Sequence, residues 1–154
     1  MTQHFTAKLD REFDRDVATV FSAWLDPEMR RAFETPEGSG MKYAAFDTRE
    51  GGTEEVIIAP EGQEVGRMIS DIHILRRPEI VVVHGRGVFG GVVMMTMQTT
   101  FEFTPKGTGC LLTGTSQMVV LGDHPTEDEV RQGWHAMFDR FGVALSSFKT
   151  GDST

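Results

Sequence analysis

The stretch Thr126-Glu127-Asp128-Glu129-Val130-Arg131-Gln132-Gly133-Trp134-His135-Ala136-Met137-Phe138-Asp139-Arg140-Phe141-Gly142-Val143-Ala144-Leu145, near the end of the chain, decides the fold. It opens with a capping signature. The Thr126 hydroxyl and the Glu129 carboxylate can satisfy each other's orphan backbone donors, and Glu127, Asp128 and Glu129 suit the positive end of a helix dipole. Val130, Trp134, Met137, Phe138, Phe141, Leu145 and Phe148 then recur at helical spacing as one broad apolar stripe. A stripe of that width has to be covered by another element.

The sequence upstream provides a sheet to cover it. From Phe5 to Phe13, Phe5, Ala7, Leu9 and Phe13 fall on one face and Thr6, Lys8, Asp10 and Glu12 on the other, the pattern of a half-buried strand. Later segments rich in strand formers are Met41 to Thr48, Glu54 to Ala59, Val65 to Leu75, Ile80 to Val88, Val92 to Thr104 and Cys110 to Leu121. Their connections carry Gly or Pro, as at Gly51-Gly52, Arg77-Pro78, Gly90-Gly91 and Pro105-Lys106-Gly107, so the strands form a meander of antiparallel hairpins. Two short helices lie between strands one and two. Asp16 caps the first, whose stripe is Val17, Val20, Phe21 and Trp24; Asp26-Pro27 opens the second, with Met29 and Phe33 facing inward.

Composition bounds the function. With 154 residues the chain has the length of one domain, placed over residues 1–149, followed by a tail over 150–154. A net charge of −8, with Lys and Arg scattered among acids, argues against a nucleic-acid partner and an anionic membrane surface. Cys110 is the only cysteine, so neither an intrachain disulfide nor a two-cysteine metal site is available. No apolar run has the length of a signal peptide core or a membrane-crossing helix, which argues against membrane insertion and for a cytoplasmic protein.

Several motifs invite chemistry, and each has a plainer reading. Gly85-Arg86-Gly87-Val88-Phe89-Gly90 spells G-x-G-x-x-G, but Val92 onward continues as a strand where dinucleotide binding requires a helix, so hairpin glycines explain it better. The five histidines show no pair at metal-ligand spacing, and no metal or other cofactor is expected. His135 and Asp139, one helical turn apart, fall off the apolar stripe and fit a solvated pair. His84 shares a strand face with Ile80 and Val82 and enters the interior if that face is concave; otherwise it is exposed at the strand's end. Arg11 falls with Leu9 and Phe13 on the inward face of strand one, where it needs an anion: an internal carboxylate such as Asp71 or Glu102, or the acid group of a ligand. Met95, Met97, Thr99, Phe101 and Phe103 share one face, with Met94 opposite and Met118 on the next strand. Thioethers so concentrated suit an adaptable pocket or a core with awkward gaps. No serine lies in a G-x-S-x-G elbow.

Taken in order, these segments resemble the bacterial SRPBCC superfamily, the START-like or helix-grip proteins, in the branch related to heat-shock protein 90 ATPase activator homologues. The resemblance runs from about Phe5 to Leu145. It is carried by Arg11-Glu12-Phe13, Val20-Phe21-Ser22-Ala23-Trp24, Asp26-Pro27-Glu28, Phe46-Asp47-Thr48-Arg49-Glu50-Gly51-Gly52, Arg77-Pro78-Glu79-Ile80-Val81, Thr100-Phe101-Glu102-Phe103-Thr104-Pro105 and the closing helix around Trp134 and Phe138 to Phe141. It implies an α+β helix-grip fold, a curved antiparallel sheet of six or seven strands around a long C-terminal helix, with a cavity between them. Relatives use such cavities for lipids, sterols, polyketides or other apolar molecules, and a minority are cyclases or hydrolases. Departures from the family pattern fall at Ala32-Phe33, at Val82 and His84, and at Ser116, positions taken to belong to the cavity wall.

The expected function is therefore non-enzymatic binding of a small apolar molecule. The expected cavity has Phe21, Trp24 and Phe33 near its mouth and His84, Met95, Met97, Thr99, Phe101, Ser116 and Met118 on the sheet, facing Trp134, Met137, Phe138 and Phe141 on the helix. A cyclase- or hydrolase-type enzyme would use His84 as general base and Arg11 as anion holder. A co-chaperone-like role follows from the family name alone. Composition fits a monomer or a homodimer, and family habit points to the homodimer.

Overall fold

The computed structural model describes residues 1–150. Of the tail expected over 150–154, residues 151–154 lie outside the described residues. Its elements, in order, are β1 (Thr2–Phe13), α1 (Val17–Leu25), α2 (Pro27–Glu34), β2 (Met41–Phe46), β3 (Thr53–Ile58), β4 (Gly66–Arg76), β5 (Ile80–Phe89), β6 (Val92–Lys106), β7 (Gly109–Leu121) and α3 (Glu127–Leu145). The strands form a seven-stranded antiparallel sheet in the order β1-β7-β6-β5-β4-β3-β2. This is the α+β helix-grip architecture that the resemblance implies, with seven strands.

Local chemistry starts and stops the helices as the sequence indicates. Asp16 accepts from the Thr19 backbone N–H at 2.8 Å, and Asp26 accepts from that of Met29 at 3.0 Å with Pro27 at the first helical position. At α3 both halves of the capping box are made: Glu129 N–H donates to Thr126 Oγ1 at 3.2 Å, and Thr126 N–H donates to Glu129 Oε1 at 2.8 Å. The meander joins β2 through β7, and β1 returns beside β7 with Thr2 opposite Leu121 and Phe13 opposite Cys110.

The core is concentrated at one end of α3. Phe138, Phe141 and Leu145 are buried, whereas Val130, Trp134, Met137 and Phe148 are only partly so. Phe141 meets Phe13 edge-on at 5.1 Å between ring centroids, Trp24 at 5.2 Å and Phe33 at 4.8 Å. Phe21 packs on Phe103 at 4.9 Å. Phe21 and Phe33, expected near a cavity mouth, thus lie inside the solid core, because α1 packs on β6 and β7 and α2 packs on α3, which encloses both rings. Cys110 is also in this core, and burial pushes its thiol up to about 11.

Replacing Phe141 by Ala removes the ring shared by α2, β1 and α3. Urea unfolding should show a loss of about 3–5 kcal/mol, the range for deleting a large buried aromatic.

Candidate functional site

The backbone of α3 comes closest to α2 and β1, not to the middle of the sheet. Beneath the first half of the helix, side chains bridge the gap to β4–β7 incompletely, leaving a cavity of about 610 Å³. Trp24, Phe101 and Trp134 partition it from the solid core, with Phe101 at 4.7 Å from Trp24 and 5.7 Å from Trp134. The floor is Met68, Val81, Val83, Met95, Met97 and Met118, and Met137 and Val130 face it from the helix.

Glycine creates part of this space. A Cβ on Gly87 would lie 2.8 Å from Met95 Cγ and 3.1 Å from Met68 Sδ, so the bare backbone of β5 is what lets those thioethers lie across it. Gly85 and Gly87 are therefore buried positions inside the strand, and of the G-x-G-x-x-G run only Gly90 is a turn glycine, with φ +60°. The hairpin explanation thus holds for Gly90 alone. On β7, a Cβ on Gly114 would approach Trp134 Cζ3 to 2.6 Å, and this is the surface on which the indole rests.

The polar groups on the wall are few. Thr99 and Ser116, opposite each other on β6 and β7, share a hydrogen bond of 2.9 Å and are buried. Toward β2 and β3 stands a cluster that sequence reasoning missed. Arg30 of α2, only 4% exposed, donates through Nε and Nη2 to the Trp24 carbonyl at 3.0 and 2.7 Å, and through Nη1 to Glu54 Oε1 at 3.0 Å. Glu34 Oε2 lies 3.8 Å from the same Nη1, and the Tyr43 hydroxyl donates to Glu34 Oε1 at 2.7 Å. Arg30 also stacks within 5.3–5.7 Å of the Trp24, Phe33 and Phe46 rings.

The electrostatics follow from two carboxylates sharing one guanidinium. Burial disfavours the Arg30 cation, but Glu54 and Glu34 outweigh it, and its pKa rises above the ordinary arginine value. Burial pushes the Glu54 carboxyl above the usual carboxylate range, against the pull of Arg30. Burial and the neighbouring Glu34 raise the Tyr43 phenol strongly. At the other side of the cavity Glu129 carries an exposed contact with His124 Nδ1 at 2.7 Å, which raises the histidine's pKa.

The sequence-derived site residues divide into three groups. Trp24, Met95, Met97, Thr99, Phe101, Ser116, Met118, Trp134 and Met137 line the cavity. Phe21, Phe33, Phe138 and Phe141 form the packed core beside it. His84 does neither: Val81 and Val83 take the concave face, so the alternating partner face that holds Val82 and His84 points outward, where His84 stacks on His73 at 5.7 Å. Val82 and His84 therefore do not alter the cavity wall. Arg11 keeps its inward parity on β1, yet its anion is neither Asp71 nor Glu102. It donates to Asp139 Oδ1 of α3 at 2.7 Å and approaches His135 Nδ1 at 3.3 Å, while Asp71 accepts from the Thr53 hydroxyl and Glu102 is exposed. Both Arg11 and His84 thus lie outside the cavity. Among the described residues no group of three or more His, Cys, Asp or Glu side chains could hold a metal ion. A groove of about 860 Å³ between α2 and the end of α3 is lined by Met29, Ala32, Val143 and Phe148, on the far side of the core from this cavity.

Comparison with known families matches residues 14–146 to the model of the Activator of Hsp90 ATPase homolog 1-like proteins. The chain belongs to this family. The same fold is found in protein Mll3558 of Rhizobium loti, 25% identical, with a TM-score of 0.80 over 94% of this chain and 99% of that one. It is found again in an uncharacterized protein of Rhizobium leguminosarum, 22% identical, with a TM-score of 0.83 over 96% and 98%. Protein CV1439 of Chromobacterium violaceum is 21% identical, with a TM-score of 0.79 over 93% and 98%. No curated protein matches the sequence.

Arg30→Met leaves Glu54 without its cation, and equilibrium unfolding at neutral pH should show a loss of about 3–5 kcal/mol. The carboxyl of Glu54 also sets a pH dependence. Its folded pKa lies above the ordinary 4.5, so the folded state holds the proton longer, and stability falls as pH rises from 4.5 through the raised value. Glu54→Gln should lack that decline when wild type and variant are unfolded in parallel across this window.

Proposed function

We propose that this protein is a non-catalytic, cytoplasmic binding protein that holds a small, largely apolar molecule between β4–β7 and the first half of α3. The carrying observation is the cavity itself. Its volume of about 610 Å³ falls within the range of small-molecule sites, and its wall combines thioethers and valines with a few convergent polar groups. Methionines make the floor adaptable, since each has three rotatable bonds and a polarizable sulfur. Trp24 and Trp134 supply flat apolar surface at the inner wall. Among the described residues no helix is long and apolar enough to cross a membrane, which agrees with a protein that meets its ligand in solution.

One observation favours a second reading. Glu54 is a carboxyl with a raised pKa on the wall of an apolar cavity, the setting of a general acid or base. In a cyclase- or hydrolase-type enzyme it would take the role first considered for His84, which the outward face removes from the cavity.

Native mass spectrometry of freshly purified protein should show a stoichiometric small-molecule adduct that is released on denaturation. Met97→Trp, which adds bulk to the cavity floor, should lower its occupancy at least tenfold while leaving the fold intact by circular dichroism. A bare wild-type spectrum would count against the binding reading, and so would full occupancy in the variant.

A further inference from the structure

The cavity's charged wall constrains the polar end of what it holds. Four charged side chains line it: Arg30, Glu34, Glu54 and Glu129. Only one of these is a cation, and each of its three nitrogens already has a protein partner, the Trp24 carbonyl for Nε and Nη2 and Glu54 for Nη1, with Glu34 close by. An anionic headgroup would therefore enter a site with three carboxylates and no free cation. Desolvating it there without a partner is strongly unfavourable.

A hydrogen-bond donor meets the opposite conditions. Glu54 spends one oxygen, Oε1, on Arg30, and among the described residues no protein donor reaches its second oxygen. The side chain is 12% exposed and lines the cavity, so that oxygen is available to a ligand and little reached by bulk water. Glu34 also has one oxygen engaged, by the Tyr43 hydroxyl, but its side chain is 31% exposed, so water competes for its second oxygen more than for that of Glu54.

Resting on the binding reading above, we propose that the ligand class is an amphiphilic amine: an apolar body packed on the methionine floor, with a protonated amine directed at Glu54. The ammonium supplies the cation that two carboxylates sharing Arg30 lack, and a charge-assisted hydrogen bond to Glu54 replaces water lost on entry. Carboxylic acids of the same length are excluded by like charge, a discrimination built against the wrong partner as much as for the right one.

The test is a matched series of n-decylamine, n-decanol and n-decanoic acid, below their aggregation limits at pH 7.5, followed by quenching of the Trp24 and Trp134 fluorescence. The amine should bind at least tenfold more tightly than the acid and the alcohol, about 1.4 kcal/mol. Glu54→Gln should remove that preference, so that decylamine binds the variant no more tightly than decanol does. Decanoic acid or decanol binding as tightly as decylamine overturns the inference and leaves the cavity reading standing. Absence of binding by all three overturns the cavity reading and the inference together. A second measurement needs no variant: the preference should persist in about 0.5 M salt, where interactions between exposed charges are screened. A preference lost in salt, or retained in Glu54→Gln, assigns it to the acidic surface and overturns the role of Glu54.

Discussion

The contact between Trp24 and Phe141, with ring centroids 5.2 Å apart, sets where α3 crosses the sheet. Phe13, Phe33 and Phe138 gather around these two rings and anchor the second half of the helix to β1, α1 and α2. A straight helix held at one end keeps its other half at a fixed height. Over β4–β6 that height exceeds what the floor side chains can fill, partly because β5 contributes glycine where it faces inward at positions 85 and 87. The cavity is thus a geometric consequence of where the aromatic residues sit along the helix.

The Arg30 cluster joins this frame to the cavity. A buried arginine between two carboxylates is weak evidence for stability, since removing three charges from water offsets most of what their attraction returns. Its geometry nonetheless fixes relations that apolar packing alone leaves loose. The Trp24 carbonyl ties the end of α1 to α2, and Glu54 ties α2 to β3, so the partition formed by Trp24 is held against the edge of the sheet farthest from β1.

Much of the fold was legible because alternation, turn residues and caps all pointed the same way. On β6, parity alone put Met95, Met97, Thr99 and Phe101 on one face, and these four side chains line the cavity. His84 was misplaced because Ile80 to Val83 are apolar on both faces, so parity could pair residues without saying which face was concave. Arg30 was hidden for a different reason. With Glu34 one turn on, it looks like an ordinary surface ion pair of an amphipathic helix. The available signal was on β3, where Glu54 shares parity with the buried Val56 and so faces inward, requiring a cation from somewhere in the fold.

The unequal halves of α3 have an evolutionary consequence. Residues that hold the helix down, Phe138, Phe141 and Leu145, are separate from those that face the cavity, Val130, Gly133, Trp134 and Met137. Substitutions in the first half can therefore reshape the pocket with little penalty to folding, while those in the second half are constrained by packing. Such a division lets the shape of the pocket drift along a single helical face, with the scaffold unchanged.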